Sequence, residues 1–163
     1  MIKAIRVDYR LLHGQVAVSW TSALGADCLL LVSDTVKNDS LRMNALKMAK
    51  PTGVKVVIKN TQEAVEALKN GVTDKYKLFI ICETLEIAKV IMEATSEQKL
   101  NIGNTPYREN TKLYGKSANL TDEEEELVKE MLEEGFDLFI QMVPTEKSIN
   151  VNHYFDKKGR KQG

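Results

Sequence analysis

Six short apolar runs constrain the fold of this chain more than any other feature. They occupy residues 2–7, 28–32, 54–58, 78–82, 100–102 and 138–143, and segments with helical periodicity lie between most of them. Most runs are continuously apolar rather than alternating, which is typical of parallel strands covered on both faces. Strands that alternate with helices indicate βαβ units. The sequence therefore predicts a single-domain α/β fold with a doubly wound, mainly parallel sheet and helices on both faces.

The helical segments carry recognisable start signals. Capping residues or strong helix formers begin each one, and several end at a glycine or before a proline. The predicted starts are near Gln15, Asn38 or Asp39, Thr61, Thr84 and Thr121. The acidic run 122–126 is expected to form a mostly solvated first turn that suits the helix dipole. Residues 101–119 are expected to form a loop with one short strand at 112–114.

Length and charge argue against several classes of protein. We assign one domain to residues 1–155 of the 163, followed by a polar, mobile tail over residues 156–163. The 23 basic and 23 acidic residues cancel, which argues against binding nucleic acid or an anionic membrane through bulk charge. The sequence shows no membrane span and no signal peptide. Cys28 and Cys82 lie in separate apolar runs, as expected of reduced thiols in a cytosolic protein.

The turn between the first strand and the first helix carries the residues best suited to chemistry. Residues 7–16 read VDYRLLHGQV, and in an open α/β sheet this turn lies at the carboxyl ends of the strands, where ligands bind. His13 is one of two histidines in the chain. A neutral imidazole is a good nucleophile near neutral pH. His13 can therefore accept a phosphoryl group, bind a metal or act as an acid or base.

The groups around His13 suit a phosphate. Arg10 can hold phosphoryl oxygens in a bidentate fork, and Asp8 can orient either the imidazole or the arginine. The next helix begins here with free backbone N–H groups, which bind anions. The N–H groups expected to bind the phosphate belong to Gly14, Gln15 and Val16. The competing interpretation is structural, with His13 as a helix cap beside a surface Asp8–Arg10 ion pair of small energetic value.

Other motifs are absent or weaker. The sequence contains no GxSxG, no P-loop and no glycine-rich first turn. It has no His/Cys cluster with metal-ligand spacing, so we expect no metal site. Residues 103–106, GNTP, are expected to form an ordinary turn. Arg42 is expected on a solvated helix face, and Trp20 in the core.

The motif Asp8-x-Arg10-x-x-His13-Gly14-Gln15-Val16 resembles the phosphorylation loop of one family. The family comprises the IIB components of the bacterial phosphoenolpyruvate-dependent sugar phosphotransferase system, of the mannose/fructose/sorbose type. Four shorter motifs resemble the same family, in the same order, along nearly the whole chain. They are Asn38-Asp39-x-x-Arg42, Pro51-x-Gly53-Val54-Lys55, Leu100-Asn101-Ile102-Gly103 and Val143-Pro144-Thr145-Glu146-Lys147.

This resemblance implies a cytosolic phosphocarrier, a protein-histidine phosphotransferase. A IIA protein or domain would donate a phosphoryl group from its phosphohistidine to His13. His13 would then pass the group to a sugar held by the membrane components IIC and IID, so the chain would act at the inner face of the membrane through these partners. Arg10 would steady the phosphate and Asp8 would be the acidic residue before it. The resemblance implies no metal or cofactor for the first transfer, and it leaves a homodimer open.

Three departures from the family pattern leave the sugar and the fit to partners open. Tyr9 stands where a second aspartate is common, Asn104 stands where a second glycine is common, and residues 150–155 lack a clear C-terminal helix. Two alternatives remain at this point. One is a regulatory phosphoprotein of the same fold that passes nothing to a sugar. The other is a flavodoxin-like binder of a small anion, although the absence of a glycine-rich loop argues against it.

Overall fold

The apolar runs form the strands of a mainly parallel sheet in the computed structural model, which describes residues 1–155. In chain order the strands are β1 (Ile2–Asp8), β2 (Cys28–Val32), β3 (Lys55–Lys59), β4 (Leu78–Cys82), β5 (Lys99–Asn104), β6 (Lys112–Tyr114), β7 (Ala118–Leu120), β8 (Asp137–Ile140) and β9 (Ile149–Asn150). Strands β2 and β4 are buried along their whole length, as expected of central parallel strands. The tail predicted over residues 156–163 lies outside the described residues.

The α-helices of residues 1–155 follow the strands, and the predicted caps are present. The helices are α1 (Gly14–Leu24), α2 (Ser40–Met48), α3 (Thr61–Lys69), α4 (Leu85–Glu93) and α5 (Asp122–Glu133). The side chains of Asp39, Thr84 and Thr121 each accept a hydrogen bond from a backbone N–H in the first turn of α2, α4 and α5. These bonds satisfy donors that a helix start otherwise leaves free. Helix α1 is the exception, because its start has no side-chain cap.

The strand order opens a crevice at the carboxyl edge of the sheet. The order of the seven-stranded sheet is β3-β2-β4-β1-β5-β8-β9, and β6 and β7 form a separate pair. Strands β2 and β4 are neighbours, but the chain leaves β2 toward β3 and leaves β4 toward β5. The connections therefore diverge between these two strands, which is where open α/β sheets bind ligands.

Helices cover both faces of the sheet, which confirms the predicted fold class. Helices α1 and α2 pack on one face through residues such as Trp20 and Leu46. Helices α3, α4 and α5 pack on the other face through residues such as Ala64, Ile91 and Met131. Trp20 is buried, as predicted. Within residues 1–155 there is no helix long and apolar enough to cross a membrane.

The C-terminal third differs most from the prediction. Residues 118 and 119 were expected in a loop, but residues 118–120 form β7 and pair antiparallel with β6. Strand β9 adds an antiparallel edge beside β8. Both strands are too short to show a periodicity in the sequence. The predicted last strand reached residue 143, but β8 ends at Ile140 because the carbonyls of Gln141 and Met142 accept hydrogen bonds from the Arg6 side chain.

The acidic first turn of α5 is only partly solvated, so that expectation was wrong in part. Glu124 and Glu125 are buried. The Glu124 carboxylate accepts from the backbone of Thr121 and from Arg108. The Glu125 carboxylate accepts from the hydroxyl of Tyr114. Packing of the β6–β7 pair against α5 therefore turns two of the predicted solvated carboxylates inward.

Candidate functional site

Two buried leucines anchor the loop that presents His13. We call residues 9–13, which join β1 to α1, the His13 loop. The backbone N–H of Leu11 donates to the carbonyl of Asp8 at 2.9 Å, closing a tight turn. Leu11 adopts φ +60°, unusual for a residue other than glycine, and both Leu11 and Leu12 are buried. The buried side chains of Leu11 and Leu12 therefore anchor the loop to the core, while His13 stays exposed.

His13 occupies the N-cap of α1 without capping it. Its backbone is extended, with φ −138° and ψ 108°, and its side chain makes no hydrogen bond to the helix. Among residues 1–155, no acceptor is found for the backbone N–H groups of Gly14, Gln15 and Val16. Gly14 has φ +51°, a left-handed conformation that favours glycine. The imidazole therefore lies free beside an open helix N-terminus, which favours a bound anion.

Asp8 orients Arg10 rather than His13. Its Oδ1 accepts from the backbone N–H of Arg10 at 3.0 Å and from Arg10 Nε at 3.2 Å, and its Oδ2 accepts from Arg10 Nη2 at 3.3 Å. The Asp8 side chain is 3% exposed, whereas that of Arg10 is 23% exposed. The sequence left open whether Asp8 holds the imidazole or the arginine. The structure shows the arginine, held in a bidentate geometry with its guanidinium partly open to solvent.

Arg6 is the residue of this site that the sequence reasoning missed. It is 2% exposed and donates to Asp8 Oδ2 at 3.3 Å, to Asn101 Oδ1, and to the carbonyls of Gln141 and Met142 at 2.9 Å each. Burial lowers the pKa of Arg6 to about 10, and the nearby Asp8 carboxylate opposes this shift. The available signal was a charge inside the apolar run 2–7. Buried charges are rare unless they are paired.

Gly103 leaves the space that Arg6 fills. A Cβ at this position would overlap the guanidinium carbon and both terminal nitrogens of Arg6. The carbonyl of Gly103 accepts from Ser117, and the carbonyl of Asn104 accepts from the backbone N–H of Tyr9 at 3.1 Å. The segment 103–106 is therefore not the ordinary turn that was predicted. It lies against Arg6 and is tied to the His13 loop.

We expect Gly103→Ala to destabilise the fold. The added methyl group forces Arg6 out of its four hydrogen bonds or displaces the backbone of β5, and such overpacking costs about 1–3 kcal/mol. For a chain of this size that corresponds to a fall in Tm of roughly 3–10 °C. Thermal unfolding monitored by circular dichroism measures it. An unchanged Tm would show that the Arg6 side chain has room to move.

A cleft of about 630 Å³ adjoins the His13 loop. Tyr9 and Arg10 of this loop line the cleft, and Arg42 of α2 lines it as well. The sequence predicted a solvated helix face for Arg42. Instead its guanidinium donates to Glu83 Oε2 at 2.6 Å and to Thr35 Oγ1 at 3.3 Å. The cleft therefore occupies the crevice where the connections from β2 and β4 diverge.

The other side chains that could act as a nucleophile or bind a metal are placed less favourably for either role. Cys28 and Cys82 are free thiols and both are buried. Burial raises the pKa of each, so neither forms the reactive thiolate readily. His153 lies in a short 3₁₀ helix, its ring edge-on to Tyr154. In the part of the chain that the structure describes, no group of three or more His, Cys, Asp or Glu side chains is placed to hold a metal ion.

The fold and the site define a doubly wound α/β protein that offers a histidine and an arginine at an open helix N-terminus. Residues 2–163 match the family described as PTS system sorbose subfamily IIB component. The chain belongs to this family, and it is a phosphotransferase component of a sugar phosphotransferase system. Proteins of the family act together with IIA and IIC/IID components. The predicted family is thereby confirmed.

Individual relatives agree with this assignment along most of the chain. The sorbose-specific EIIB component of Lacticaseibacillus casei is 29% identical over 93% of this chain and 93% of its own length. The N-acetylgalactosamine-specific IIB component 1 of Escherichia coli is 28% identical, over 90% and 93%. The crystal structure of the IIBSor domain from Klebsiella pneumoniae matches with a TM-score of 0.85 at 26% identity, covering 92% of this chain and 93% of that domain.

Proposed function

We propose that this component carries phosphoryl groups on His13. In this proposal a phosphohistidine of a IIA partner donates the group, and His13 passes it to a sugar held by membrane IIC and IID components at the cytoplasmic face. One observation carries the proposal. The exposed imidazole of His13 makes no capping bond to the open N-terminus of α1, and it lies beside Arg10, which the buried Asp8 carboxylate holds in place. Phosphoryl transfer needs an in-line nucleophile and positive charge around the equatorial oxygens, and little more.

The first transfer is an exchange between two imidazoles. The lone pair of a His13 ring nitrogen attacks phosphorus as the bond between phosphorus and the donor nitrogen breaks. The net proton movement is from the His13 ring to the donor ring. Arg10 stabilises the negative charge on the equatorial oxygens, because Asp8 already holds its guanidinium in place. The backbone N–H groups of Gly14, Gln15 and Val16 bind the phosphate after transfer.

The second transfer returns His13 to its starting state. A sugar hydroxyl oxygen attacks phosphorus, the bond to the imidazole nitrogen breaks, and the hydroxyl proton is balanced by the proton that the imidazole regains. The exposure of His13 is consistent with two successive partners approaching the same nitrogen. Solved IIB structures named for sorbose and for N-acetylgalactosamine share this fold, so we place the choice of sugar in the membrane partner.

A transfer assay separates a phosphocarrier from a regulatory phosphoprotein. The protein, phosphorylated by IIA, is mixed with membrane vesicles that contain its cognate IIC and IID components. A panel of hexoses, ketoses and hexosamines that includes sorbose and N-acetylgalactosamine is then added. We expect one sugar of the panel to discharge the protein and to appear as its phosphate ester. A phosphoprotein that keeps its label with every sugar would instead indicate a regulator.

A further inference from the structure

Arg6 lies directly beneath the Asp8–Arg10 pair. Residues two apart on a strand point to the same face, so Arg6 and Asp8 are neighbours on β1 just before the His13 loop. Asp8 Oδ2 accepts from Nη2 of Arg6 and from Nη2 of Arg10, both at 3.3 Å. The carboxylate thus lies between two guanidinium groups. One is fully buried, and the other is partly open to the cleft.

We propose that Arg6 is a positioning residue for phosphoryl transfer at His13, acting on the phosphate only through Asp8 and Arg10. This inference rests on the proposed function of His13. Arg6 fixes the Asp8 carboxylate, and the fixed carboxylate holds the Arg10 fork in the orientation that meets the phosphoryl oxygens.

The rigidity of Arg10 depends on Arg6. A partly exposed Asp–Arg pair is a weak interaction, because both side chains lose rotational freedom when they pair. Here the carboxylate is anchored by a buried guanidinium that is itself held by Asn101 and two backbone carbonyls. The backbone of Gly103 packs against this guanidinium and leaves only the space that it fills. Buried groups that orient the residues touching a ligand are what keep a site within the geometry that transfer requires.

Arg6 also offsets the negative charge of Asp8, so that the charge of Arg10 is not consumed by the carboxylate alone. Arg6, Asp8 and Arg10 together carry a net charge of +1, because two guanidinium groups share one carboxylate. Without Arg6, the Asp8–Arg10 pair is neutral and Arg10 alone must compensate the carboxylate. The buried Arg6 stays protonated at neutral pH, since its pKa, although lowered by burial, is about 10. Arg6 therefore leaves Arg10 free to stabilise an added anion.

A double-mutant cycle tests the inference. The variants are Arg6→Met, Arg10→Ala and the double variant, and the measurement is the rate of phosphoryl transfer from phosphorylated IIA. We expect Arg6→Met to slow transfer by about 10–100-fold. We expect the double variant to be as slow as Arg10→Ala alone, within about twofold, because Arg6 acts through Arg10. An unchanged rate in Arg6→Met, or effects that multiply in the double variant, would overturn the proposal.

Two further variants separate positioning from general stability. Trp20→Phe removes the indole bond to the carbonyl of Met142, which Arg6 also binds. It keeps an aromatic ring beside the Arg6 guanidinium and leaves the hydrogen bond between Arg6 and Asp8 in place. We expect it to lower Tm without changing the transfer rate. If Arg6→Met does not fold, Arg6→Lys replaces it in the cycle, since lysine keeps the positive charge but lacks the fork that reaches all four acceptors. A rate for Arg6→Lys below that of the parent protein, without a further effect in the Arg10→Ala background, supports the proposal. A rate equal to that of the parent protein, or effects that multiply in the double variant, would overturn it.

The outcome can be told apart from a failure of the proposed function. If His13 is not the phosphoryl acceptor, label from IIA persists in His13→Ala. If His13 is the acceptor but Arg6 is only structural, label is lost in His13→Ala while the Arg6 and Arg10 effects multiply.

Discussion

Replacing His13 with alanine is expected to abolish phosphoryl acceptance from IIA. The physical reason is the loss of the nucleophilic nitrogen at the open start of α1, because His13 carries the one imidazole of the His13 loop. The measurement is the amount of label incorporated from phosphoenolpyruvate in the presence of the general phosphotransferase proteins and IIA. Folding is unaffected in our account, because the exposed His13 side chain makes no capping bond, so Tm should stay close to that of the parent protein.

The second histidine provides a matched control. His153→Ala removes the other imidazole of the chain, which lies in the C-terminal 3₁₀ helix. We expect this variant to accept label to the same stoichiometry as the parent. Label retained by His13→Ala and lost from His153→Ala would transfer the assignment to the C-terminal segment.

Arg10→Ala is expected to slow phosphoryl transfer by about 10²–10³-fold, the typical cost of removing one donor that stabilises transition-state charge. The phosphate then meets the Asp8 carboxylate without the guanidinium that faces it. Arg10→Lys serves as the matched control, because it keeps the charge but not the fork, and we expect an intermediate rate. Rapid-quench measurement of transfer from phosphorylated IIA provides the rates. Equal rates for Arg10→Ala and the parent protein would show that Arg10 only stabilises the loop.

The framework of the fold could be predicted because its strands are continuous apolar runs. Strands β2 and β4 match the predicted ranges residue for residue. A central parallel strand is covered on both faces, so it is recognisable in the sequence as an uninterrupted run of apolar residues. The short strands β7 and β9 could not be found in this way. They exist through pairing with β6 and β8, and a strand of two or three residues has no period of its own.

The site could be predicted only where it is local. Asp8, Arg10 and His13 lie within six positions, so one turn brings them to the same edge of the sheet. Arg6 is different, because its partners are 95 and 135 residues away in sequence, at Asn101 and Gln141. No local sequence pattern predicts contacts between residues so far apart in the chain. Arg42 was placed on a solvated face for the same reason, since its partner Glu83 belongs to another strand end.

Two of the three departures from the family pattern, Tyr9 and Asn104, meet in space. The backbone N–H of Tyr9 donates to the carbonyl of Asn104. The ring of Tyr9 lies 6.0 Å from the Arg10 guanidinium and is partly exposed at the cleft. An aromatic ring in place of a carboxylate removes a negative charge beside the arginine and adds a contact surface for a cation. Tyr9 therefore changes the rim of the cleft beside Arg10, and Asn104 is tied to it through the backbone.

The central claim is that a phosphoryl group resides on His13. The most direct measurement is peptide mapping by mass spectrometry at neutral or alkaline pH, under which phosphohistidine survives, after incubation with phosphorylated IIA. Our account predicts one acid-labile phosphate, located on the peptide that contains His13 and assigned to that residue by fragmentation. A phosphate on His153, on either cysteine or on a hydroxyl side chain would contradict it.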